Sequence, residues 1–60
     1  MNDNSRRVLE EMERRNVPKT KLACYLGMFD FSFDKRLERG LTNDETKQIL
    51  SVMEGRFNNE

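Results

Sequence analysis

The sequence predicts an all-α fold, a compact bundle of four short helices, and three observations lead there. Apolar residues recur at helical spacing within each stretch, as Val8, Leu9 and Met12 do near the start. Pro18, Gly27, Gly40 and Gly55 divide the chain into stretches short enough for one helix each. No stretch alternates apolar and polar residues as a half-buried strand does, and no segment repeats another.

The first helix is expected from about residue 4 or 5 to residue 15. Val8, Leu9 and Met12 form a narrow apolar stripe, and Arg6, Arg7, Glu10, Glu11, Glu13 and Arg14 cover the remaining surface. Pro18, tolerated where a helix begins, opens a second helix over about residues 19–26. There Leu22, Ala23 and Leu26 share a face, Cys24 falls opposite, and Gly27 supplies a left-handed stop. The third helix is expected over about residues 30–39, with Asp30 as its N-cap, Phe33 and Leu37 on the inner face and Gly40 at the end. Phe31 then points away from that face. Thr42-Asn43-Asp44-Glu45 reads as a capping box that opens a fourth helix, whose stripe is Ile49, Leu50 and Met53, continued by Phe57 if the turn persists past Gly55. One domain over residues 1–57 is expected, with 58–60 as a frayed tail.

Composition narrows the function. The chain has 60 residues, 37% of them charged and 35% hydrophobic, with a mean hydropathy of −0.93. A large enclosed pocket is not expected at this size. With one cysteine and no histidine, no intramolecular disulfide or Cys/His zinc site can form, and the commonest general base is missing. The Glu10, Glu11 and Glu13 cluster offers no acid–base pair, because adjacent positions diverge on a helix and arginines surround them. No enzyme, cofactor or metal is therefore expected. No apolar run approaches the roughly 18 residues of a membrane span, and the polar start is unlike a signal peptide, so a cytoplasmic protein with no membrane partner is expected. Eleven basic and eleven acidic residues cancel. Nine of the basic residues and seven of the acidic ones lie within residues 1–39, a slight positive lean.

The segment from Lys19 to Leu37, KTKLACYLGMFDFSFDKRL, carries the most specific pattern. Ala23 stands where two helices would cross closely, Gly27 follows four residues later at a tight turn, and Met28 and Phe33 occupy apolar positions behind the turn and within the next helix. In these residues, and in the helices that flank them, the chain resembles the lambda-repressor-like (Cro/CI) helix-turn-helix family over nearly its whole length. The resemblance implies a helix-turn-helix made of the second and third helices. It also implies a transcription regulator of phage, plasmid or bacterial type that occupies an operator as a homodimer on half-sites about one DNA turn apart.

On that resemblance the base-reading positions lie on the outer face of the third helix. Lys35 would donate to guanine, Phe31 would pack on a thymine methyl, and Ser32 would bond to a base or a phosphate. Lys19, Thr20, Lys21, Arg36 and Arg39 would hold phosphates and fix register. For each lysine and arginine the plain reading is a solvated surface charge. Two departures from the family pattern matter. Asp30 and Asp34 put negative charge on a face that should meet phosphates, and Phe29 stands where the family often has a small polar cap. Phe29 and Phe31 therefore support an alternative, a helix-turn-helix used to bind a protein, such as an antirepressor or an inhibitor of a host regulator. Against it, Phe29 could fold back onto the core. Cys24 reads as an inert thiol, and Met12, Met28 and Met53 as core filler.

Overall fold

The ends of these helices lie where backbone groups left without helical partners find others. The structure, a computed structural model, describes residues 1–57, and the expected frayed tail at 58–60 lies outside the described residues. Four α-helices follow one another: α1 (Asp3–Arg15), α2 (Lys19–Tyr25), α3 (Asp30–Arg39) and α4 (Asn43–Arg56). There is no strand among the described residues.

α1 begins one or two residues earlier than its apolar stripe suggests. The Asn2 side chain accepts the Ser5 N–H at 2.9 Å and caps the helix. At the other end Asn16 turns left-handed at φ 56°, so that Asn16 N–H donates to the Glu13 carbonyl and Val17 N–H to the Met12 carbonyl. The same closing pattern ends α2, where Gly27 at φ 74° donates to Cys24 and Met28 donates to Ala23. α2 is thus seven residues long, with Leu26 as its cap residue rather than its last turn.

The N-cap of α3 is Phe29, not Asp30. Asp30 is the first helical residue, and its carboxylate accepts the Thr20 hydroxyl at 2.8 Å instead of the helix's own N–H groups. The capping box of α4 is present as expected: Glu45 N–H donates to Thr42 Oγ1 at 3.1 Å, and Thr42 N–H donates to Glu45 Oε1 at 2.9 Å. Gly55 does not break α4, which runs through it to Arg56 and leaves Phe57 as the C-cap.

α1 packs on α4, and α2 packs on both α3 and α4. The core joins Val8, Met12, Val17, Leu22, Ala23, Phe33, Leu37, Leu41, Ile49 and Met53. Leu9, Leu26, Met28 and Leu50, expected inside, are only half-buried around it. Val17 and Leu41 lie in connections, outside any helical period, yet both are buried. The α3–α4 connection is clasped by the start of α1. Ser5 Oγ donates to the Leu37 carbonyl at 2.8 Å and accepts the Leu41 N–H at 3.1 Å, while the side-chain amides of Asn2 and Asn4 both donate to the Leu41 carbonyl.

Candidate nucleic-acid interface

Helical geometry sets what α3 shows to solvent. Phe33 and Leu37 are buried, and residues two positions either side of Phe33 lie about 160° from it, so Phe31 and Lys35 sit next to each other at the centre of the outer face. Phe31 is 63% exposed and Lys35 is exposed. Ser32, half-buried, lies on the flank shared with Arg36 and Arg39, whereas Asp30 and Asp34 occupy the flank toward α2.

Both flanks carry cations, and carboxylates hold most of them. On the α2 side Lys19 Nζ meets Asp34 Oδ1 at 2.8 Å, which raises the ammonium pKa through that hydrogen bond and the adjacent charge. Thr20 is bonded to Asp30. On the α4 side Arg39 lies 2.9 Å and Arg36 3.5 Å from Glu45 Oε2. The Glu45 carboxyl is held below its ordinary value, first by the Thr42 backbone N–H and then by Arg39. Among the described residues, Lys21 and Lys35 have no ion-pair partner. The five residues expected to touch phosphate are all exposed and lie in α2 and α3, and four of them are already engaged within the chain.

The turn before α3 is apolar. Phe29 is 76% exposed and does not fold back; its ring stacks on that of Phe31, with centroids 6.3 Å apart and planes at 12°. Thr20, Cys24, Gly27, Met28, Phe29, Asp30 and Phe31 line an open groove of about 770 Å³. Sequence reasoning missed this groove, because its walls come from α2, the turn and α3 together. Cys24 is exposed at its edge, as its helical phase implies. At the far end of α2, Tyr25 packs edge-on against Phe57, and the Arg56 guanidinium covers the Tyr25 ring.

Among the described residues no group of three or more Asp, Glu, Cys or His side chains is placed to hold a metal ion, and no helix is long and apolar enough to cross a membrane. No protein-family model, curated protein or solved structure matches the chain.

Proposed function

We propose that α2 and α3 act as a helix-turn-helix that docks α3 in the major groove of duplex DNA, and that the protein regulates transcription as a dimer on an operator. One observation carries this reading: the exposed face of α3 is centred on Phe31 and Lys35 and has cations on both flanks, Lys19 on one and Arg36 with Arg39 on the other. A groove reader needs a central strip that touches bases and two rails that touch the phosphate walls. Lys35 is the base-contacting donor, with Ser32 beside it, and Phe31 meets a thymine methyl. Lys19, Thr20, Lys21, Arg36 and Arg39 supply the rails. Their present ion pairs lie at the surface, where a phosphate can take the place of the carboxylate. A single module of this size buries too little surface for high affinity, which is the reason for a dimer.

Titration of the purified protein against duplex DNA at several salt concentrations tests the reading. A fall of log K with log salt by a slope of several units supports it, and absence of binding even at low salt overturns it.

The stacked Phe29–Phe31 pair, part of the wall of an apolar groove, favours a second reading, in which the same face binds a protein. Loss of DNA binding at all salts together with Phe31-dependent capture of one regulatory protein would select that reading.

A further inference from the structure

We infer that Asp34 and Glu45 are carboxylate competitors for phosphate, holding the rail cations Lys19, Arg36 and Arg39 so that phosphate contacts alone bind duplex DNA weakly. The inference rests on the duplex-binding reading and adds to it the residues that limit sequence-independent affinity.

The geometry is the same on both rails. Lys19 reaches across from α2 to Asp34 at 2.8 Å, and Arg39 reaches from the last turn of α3 to Glu45 in the first turn of α4 at 2.9 Å, with Arg36 at 3.5 Å from the same oxygen. Both pairs lie at the surface, outside the apolar core. Glu45 already serves the Thr42 backbone N–H through its other oxygen, and Lys19 and Asp34 are both on the surface. What the pairs do is hold a carboxylate oxygen against each cation that the duplex-binding reading assigns to phosphate.

Sequence-independent binding draws its free energy from cations that neutralise phosphates and release counterions. A cation already neutralised by a carboxylate releases fewer counterions, and the displaced carboxylate stays beside the phosphate and repels it. Both effects lower affinity for every sequence. Base contacts through Lys35, which has no ion-pair partner among the described residues, are not taxed this way. Occupancy then depends on the bases.

The test uses Asp34→Asn, Glu45→Gln and the double variant, with Asp3→Asn as a control that removes an equal charge from the exposed Arg6 pair on α1. Glutamine can keep the capping box, so Glu45→Gln frees the arginines without uncapping α4. Asp34→Asn carries the test should the other variant melt early. Binding of each protein to a mixed-sequence 20-base-pair duplex is followed by fluorescence anisotropy between about 50 and 200 mM salt. Each freed cation should steepen the salt slope by about 0.9, which is roughly a threefold deeper loss of affinity over that range, with tighter binding than the parent at the low-salt end. The control should match the parent within about twofold at every salt concentration. A parent that binds with a clear salt slope, and variants that match it, would refute the competition while leaving the duplex-binding reading intact. An equal gain in the Asp3→Asn control would refute it too, since any lost negative charge would then suffice. If neither parent nor variants bind at low salt, the duplex-binding reading falls and the competition falls with it.

Discussion

Phe33 and Phe31 stand two residues apart in one helix and have opposite fates. Phe33 is 0% exposed and lies at the centre of the core, so Phe33→Ala should cost about 3–5 kcal/mol, a large share of what a domain this small can hold. Phe31→Ser should leave the melting temperature within a few degrees of the parent and alter only binding. Thermal melts by circular dichroism check both, and a large stability loss for Phe31→Ser would show its ring to be part of the core. Ser5 makes a subtler case. A serine within a helix is ordinarily replaceable by alanine at little cost, but this hydroxyl is buried and serves both the Leu37 carbonyl and the Leu41 N–H. Ser5→Ala should therefore destabilise by about 1–3 kcal/mol, because it leaves the buried Leu37 carbonyl without its partner and the Leu41 N–H with only the Asn2 Oδ1 at 3.2 Å. A melt unchanged from the parent would mean that solvent reaches those groups.

At the level of elements, two glycines that look alike in the sequence have different work. Gly40 ends α3 at φ 106°, and a Cβ there would meet Asn2 Nδ2 at 2.8 Å, so Gly40→Ala meets backbone strain and pushes on the clasp at once. It should cost about 1–3 kcal/mol. Gly55 lies inside α4, and a Cβ there meets nothing within 4 Å. Gly55→Ala should stabilise by about 0.5–1 kcal/mol, since alanine loses less backbone freedom on entering a helix. Chemical denaturation of the two variants should move the midpoint in opposite directions, and movement in the same direction would contradict this account of α4. The helix starts divide similarly. Thr42 and Glu45 lie three residues apart, a spacing that announces a reciprocal cap, whereas the start of α3 is decided by tertiary contact, with Asp30 drawn away to Thr20.

For the whole molecule, acid should be the weak direction. Glu45 and Glu11 both titrate below the ordinary value of 4.5 when folded, Glu11 falling to about 2 through its hydrogen bonds to Arg14 and Arg15. A group whose folded pKa is depressed contributes stability that is present above the unfolded value and lost as pH falls through the folded one. Thermal stability should therefore decline between about pH 4.5 and pH 2. With no histidine, it should be nearly flat between about pH 5 and pH 7. Melts across that range check the window, and a midpoint that stayed level down to pH 2 would show these ion pairs to be silent. Overall neutrality at pH 7 also means that any affinity for a polyanion comes from local arrangement, which is why the carboxylates beside Lys19 and Arg39 matter.

Local rules were enough to read four helices, the left-handed stop at Gly27, the box at Thr42 and Glu45, the buried Phe33 and Leu37, and the exposure of Phe31 and Cys24. Each depends on residues within one or two turns of each other, where period, capping chemistry and φ preference act without the rest of the chain. The tertiary structure alone decided the burial of Leu41 and Ser5, which meet across more than thirty residues of sequence, and of Val17, which lies in a connection outside any helical period. It also decided that Phe29 remains in solvent and caps α3, that α4 continues through Gly55, and that Asp30, Asp34 and Glu45 take the groups expected to meet phosphate. The pairing of Lys19 with Asp34 spans fifteen residues and exists only because α2 lies against α3. A side chain's charge is written in the sequence, but which opposite charge lies within 3 Å of it is a property of how the helices pack.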